Sequence, residues 1–203
     1  MSKTVLVLGE ESLLTPILSG ISKKLNNYNV TMGFPLLQTQ ASKIIFQFIK
    51  LHLNFKNERF FLFDIIHFIE LFPTSELFGL LIVDLKRLLN KNEKLNNGYI
   101  LSKEIVELLE ENRLGTILFK PFISVYEFIE RILELSSFSI EYLNKKDSKK
   151  NKSIIYSYER FELIFNKIIA LEENKLFIKN LEELKLILNS LLKFEKINFN
   201  TDP

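Results

Sequence analysis

The 203-residue chain is 47% hydrophobic, carries 27 Lys and Arg against 25 Asp and Glu for a formal net charge of +2, and has no cysteine. The near balance of charge excludes a global basic field, so any contact with nucleic acid must come from a local patch. The missing cysteines exclude a disulfide scaffold and a thiolate metal site, while a mean hydropathy of +0.10 leaves apolar material for a sizeable core and some for a partner.

The opening MSKTVLVLGEE has only the apolar run Val5, Leu6, Val7, Leu8 before acids appear, which is no signal peptide. The longest apolar stretch, residues 60–72, is broken by Asp64, His67 and Glu70 and falls short of the ~20 residues of a membrane helix. With the absence of cysteine, this predicts a cytoplasmic protein without a membrane partner.

Residues 4–8 read as a short strand stopped by Gly9. From Ser12, apolar positions 13, 14, 17, 18, 21 and 25 follow helical spacing, with Pro16 early, where its missing N–H costs least. Residues 29–32 read as a second strand, closed by Gly33 and Pro35. Strand, helix, strand in this order predicts a parallel β-α-β element with a right-handed crossover. Two parallel strands make a poor sheet by themselves, so the element reads either as a corner of a larger sheet or as one wrapped by the helices that follow. No further strand stands out after residue 32.

The remainder predicts helices. Thr39 caps one through about residue 53. Residues 58–71 are apolar on nearly every side and predict a central, buried helix. Others are expected over 74–89 and, capped by Ser102, over 102–111, with a polar loop at 90–98. Ser124 and Glu127 form a capping box, with Ile123 stapled to Phe128, for a helix to about residue 143. Helices over 153–173 and 180–194, the latter with Asn180 and Glu183 repeating the capping pattern, complete about seven. The expected fold is therefore mainly α with a short N-terminal β-α-β element, divided as 1–36 and 37–203.

Catalytic signatures are missing. None of the six glycines precedes the Lys-Ser/Thr of a phosphate-binding loop, so no nucleotide cofactor is expected. His52 and His67 fit no metal-ligand spacing. His67, among Ile65, Ile66, Phe68 and Ile69, reads as a hydrogen-bonded core or boundary residue, and His52 as a partner of a helix C-terminus. The acid-x-Lys triplets at Asp84, Glu173 and Glu183 match half of a nuclease metal motif, but all lie on expected helices. The acids Glu10 and Glu11 read as first-turn helix residues. The dense basic cluster is KKDSKKNK, where Lys145, Lys146, Lys149, Lys150 and Lys152 are candidate phosphate contacts; a solvated loop is the alternative. The phenylalanines fall at helical spacing inside apolar stretches and read as core.

Two segments resemble a known family. NVTMGFPL, residues 29–36, and VLGEESLLTPIL, residues 7–18, are similar to phrases in a Bacteroidetes family of AddB-like DNA-repair proteins. In that family an inactivated superfamily I helicase region is joined to a C-terminal PD-(D/E)XK nuclease. ERFFLFDII, beginning at Glu58, resembles its next helix, and the last thirteen residues the stretch before a later helicase-like motif. Phe34 stands where the family has Tyr, and Gly9 at an Asp-like position. The matching phrases cover about a quarter of the chain; Asn29, Thr31, Met32, Gly33 and Pro35 are the motif positions, and a plain strand and turn explains them equally well. The resemblance implies a helical domain inserted in a RecA-like subdomain, with the parent's nuclease and ATP motifs elsewhere. It implies no catalytic or metal residue here, no cofactor, and the parent's remaining domains as partners, with DNA a further candidate. The expectation is a non-catalytic helicase-like part of a double-strand-break repair protein; the alternative is a stand-alone helical protein-interaction domain.

Overall fold

A computed structural model of the chain describes residues 33–71, 98–108, 113–145, 151–173 and 178–197, with isolated positions 6, 8, 13, 16, 17, 20 and 83. Apart from those isolated positions, the expected β-α-β element of residues 4–32 and the expected helix over 74–89 lie outside the described residues. Two compact units divide the chain: Met1–Phe34 with Lys196–Pro203, and Pro35–Glu195.

The described part is mainly helical. In order it runs β1 (Phe34–Pro35), α1 (Gln40–Leu53), β2 (Arg59–Phe61), α2 (Leu62–Leu71), β3 (Tyr99–Leu101), α3 (Ser102–Leu108), α4 (Arg113–Phe119), α5 (Val125–Lys145), α6 (Lys152–Glu173), α7 (Leu181–Leu192) and β4 (Lys196–Ile197). Several helix ends fall where nearby side chains dictate. The Thr39 hydroxyl accepts from the Ser42 amide at 3.2 Å. Ser124 Oγ accepts from the Glu127 amide at 3.1 Å, and Glu127 accepts in return from Ile123 N–H at 2.8 Å. Asn180 and Glu183 repeat that exchange. At the C-terminus of α5, Asn151 Nδ2 donates to the Leu143 carbonyl at 3.2 Å. Each contact satisfies a backbone group that a helix end would otherwise strand.

Three expectations need correction. Residues 58–71 are not one helix: Arg59–Phe61 is a strand, antiparallel to Tyr99–Leu101, with Phe60 opposite Ile100. The cause is the turn before it. Asn57 and Glu58 have φ of 50° and 59°, the two-residue geometry that reverses a chain, and Lys56 and Arg59 exchange both backbone hydrogen bonds. Strands thus do occur after residue 32, too short for alternation to reveal. Helix α2 is also buried on one side only, through Leu62, Ile65, Phe68 and Ile69, whereas Phe63 and His67 face outward. The staple of Ile123 on Phe128 does not form, since Ile123 is 97% exposed. Phe122 packs on Phe128 instead, ring centroids 5.0 Å apart.

The core of the helical unit has two parts. One is a cluster of rings where Phe48 stacks on Phe128 at 4.9 Å and meets Phe68 at 5.5 Å. The other lies between α5 and α6, where Tyr158, Phe161 and Phe165 are fully buried. There Ser136, Ser139 and Ser157 turn their hydroxyls back to carbonyls of their own helices. Such small side chains satisfy themselves locally and let two helices lie close.

Candidate nucleic-acid interface

The expected lysine cluster does not assemble into a site among the described residues. Lys145 closes α5 and pairs with Glu141 at 2.8 Å, both side chains largely exposed. Lys152 opens α6 and is exposed. Lys146, Lys149 and Lys150 lie outside the described residues, as do Asn29, Thr31 and Met32. Gly33 is half-buried irregular chain and Pro35 belongs to β1. Glu183, in one of the acid-x-Lys triplets, is occupied as the capping partner of α7. No group of three His, Asp or Glu side chains that could hold a metal comes together among the described residues.

His52 does partner a helix C-terminus, but that of α4 rather than its own, and His67 is exposed. His52 is the buried one, 4% exposed, ringed by Phe48, Phe60, Phe122 and Phe128 at 4.8 to 5.5 Å. Its Nε2 meets the Leu118 carbonyl at 2.9 Å. A carbonyl only accepts, so Nε2 carries the proton of the neutral ring. Burial, against the raising effect of that hydrogen bond, holds its pKa down at about 3. The reason is tertiary: α4 ends against α1, and its last carbonyls need donors. His52 serves Leu118, the Ser102 hydroxyl serves Phe119 at 2.6 Å, and the Arg131 guanidinium serves Lys120 and Pro121. Arg131 also pairs with Glu127 at 2.5 Å. The Ile123 amide first, and then Arg131, keep the Glu127 carboxyl below its usual range. This polar cluster satisfies the carbonyls at the end of α4.

His67, expected in the core or at its boundary, is exposed and helps to line an open groove of about 370 Å³ in the helical unit. Helix α1 supplies Lys43, Phe46, Gln47 and Lys50, α2 supplies His67 and Leu71, and α7 supplies Lys185. Positions 43, 46, 47 and 50 share one helical face by their i, i+3, i+4, i+7 spacing. Among the described residues no carboxylate lines the groove. Lys50 has a long contact of 3.8 Å with Asp64, and Asp64 is further engaged by Asn54 at 2.8 Å. Gln47 is 9% exposed, and its amide nitrogen is buried with no hydrogen-bond partner among the described residues. A buried, unmatched donor beside several cations suits an anion. The sequence held the signal in Lys43, Gln47 and Lys50 on the expected Thr39-capped helix. Lys185, 135 positions beyond Lys50, needed the fold.

No family model, curated protein or solved structure matches this chain. Among the described residues, no helix is long and apolar enough to cross a membrane.

Proposed function

We propose that the chain is a non-catalytic, helicase-like part of a DNA double-strand-break repair protein, acting in the cytoplasm to guide DNA and to pack between its neighbouring domains. In this reading residues 35–195 are a helical domain inserted in a RecA-like subdomain. The observation that carries it is the meeting of the helical unit's two ends. The Leu36 amide donates to the Glu195 carbonyl at 2.9 Å, although the two are separated by the whole unit. An inserted domain needs its ends that close, because the host chain must continue across the junction. The grouping of Met1–Phe34 with Lys196–Pro203 in one unit supports the same reading, as does the resemblance of residues 7–18 and 29–36 to the AddB-like family.

The DNA role is tested by titrating the 203-residue protein into labelled duplex with a single-stranded tail at two salt concentrations. Binding that weakens steeply with salt is expected. A folded protein that binds no DNA even at low salt overturns the DNA role. The alternative, a helical protein-interaction domain, is favoured by the outward-facing Leu163, Leu186 and Phe194, a set of apolar side chains suited to a protein partner.

A further inference from the structure

We infer that the groove between α1, α2 and α7 is a binding site for the phosphodiester backbone of a single-stranded nucleic acid, with Gln47 as its buried donor. The inference rests on the DNA-guiding reading and gives it a location distinct from the lysine cluster after α5.

Three features converge on this ligand. The first is charge: Lys43, Lys50 and Lys185 reach the groove from two helices, with the imidazole of His67 beside them and no acid among the described residues of the lining. Among the described residues no ion pair neutralises Lys43 or Lys185, and Lys50 is held only by the long contact to Asp64. The second is the Gln47 amide. Among the described residues three buried side-chain atoms lack partners: Gln47 Nε2, His52 Nδ1 and the Tyr158 hydroxyl oxygen. None of the three atoms has appreciable solvent-accessible surface, but Gln47 as a residue lines the open groove, whereas His52 and Tyr158 do not. A turn of the Gln47 side chain about its own torsions would bring this unmatched donor to the groove, where a phosphate oxygen beside lysines is the acceptor such a setting favours. The third is the apolar part of the wall. Phe46 and Leu71 supply apolar atoms to the lining, and an aromatic ring beside cations is the pairing that holds bases along a tracked backbone. The groove is an open trough rather than an enclosed chamber, which suits a strand passing through better than a free mononucleotide.

The test is fluorescence anisotropy of a labelled thymidine oligonucleotide with the full 203-residue protein, across a salt series. The variants are Lys43→Ala with Lys185→Ala, and separately Gln47→Met. The double lysine variant should bind about tenfold more weakly, with a salt slope shallower by about 0.7 for each phosphate no longer neutralised. Gln47→Met should bind about fivefold more weakly while its thermal midpoint is unchanged or raised, because the substitution removes an unmatched buried donor. A purely structural Gln47 would show the opposite, a lowered midpoint with affinity intact, and would overturn the assignment. Unchanged affinity and slope in the lysine variant would overturn it too. Competition by inorganic phosphate or thymidine monophosphate as strong as by the oligonucleotide would overturn the strand in favour of a small phosphate ligand. If the wild-type protein itself binds no oligonucleotide or tailed duplex, the DNA-guiding reading falls; if wild type binds and the variants match it, only the groove assignment falls.

Discussion

Helix α1 presents two polar regions, and they are built in opposite ways. Around His52, each carbonyl at the end of α4 has a mate: three side chains from α1, α3 and α5 serve four consecutive carbonyls. Around Gln47, on another face of the same helix, cations gather without acids and a buried amide goes unserved among the described residues. A closed polar cluster fixes a helix junction. An open one costs stability unless something else completes it. The difference separates a device for folding from a candidate for binding, on one and the same helix.

The comparison breaks most readily at the rings. Phe128 stacks on Phe48 and edges His52, and it is fully buried. Phe128→Ala should destabilise the protein by about 3–5 kcal/mol, read as a lower urea midpoint. A drop no larger than that of a surface change would mean the ring cluster is not the anchor of α1, α4 and α5.

Acid sharpens the comparison next. The His52 ring is neutral in the folded protein, with a pKa near 3 against an ordinary 6.5. The unfolded chain takes up the proton first. Its contribution to stability is therefore complete above about pH 6.5 and is lost as pH falls from there toward about 3, by up to about 1.4 kcal/mol per pH unit. Glu127, whose carboxyl is held below its usual range, contributes stability that begins to be lost as pH falls into the ordinary carboxylate range, in the lower part of the His52 window. Urea midpoints between pH 6.5 and 5 should therefore decline in the wild type and stay nearly flat in His52→Phe, even though that variant starts lower for want of a donor to Leu118. Parallel profiles would contradict the neutral, buried assignment.

The smallest effect belongs to the groove. Lys43 is exposed, and Lys43→Ala should change stability by no more than about 0.5 kcal/mol in the same urea assay. A larger change would make the groove part of the folding scaffold and erase the contrast.

Much of the helical architecture was legible because its signals are local. Helices α1, α5, α6 and α7 begin and end within two residues of the spans expected from Thr39, Ser124, Ser153 and Asn180. A cap acts across three or four residues, so its sequence pattern and its structure are one object. Helix α4 went unread: its seven residues contain Gly115 and the β-branched Thr116 and Ile117, which lower helix propensity, and its stability comes from side chains far away in sequence. Strands β2 and β3 are three residues each, and what makes them strands is each other.

By itself, the sequence determined the mainly helical class, the capped starts of α1, α5 and α7, and the apolar surfaces that form their core. Periodicity and capping are short-range and survive without a partner. Only the tertiary structure decided which histidine is buried, what Arg131 holds, and that Lys185 joins Lys43 and Gln47. His52 finds its carbonyl 66 positions away, and at that separation pairing is set by how helices pack, not by the spacing of letters. The same holds for the meeting of Leu36 with Glu195, which exists only once every helix between them has found its place.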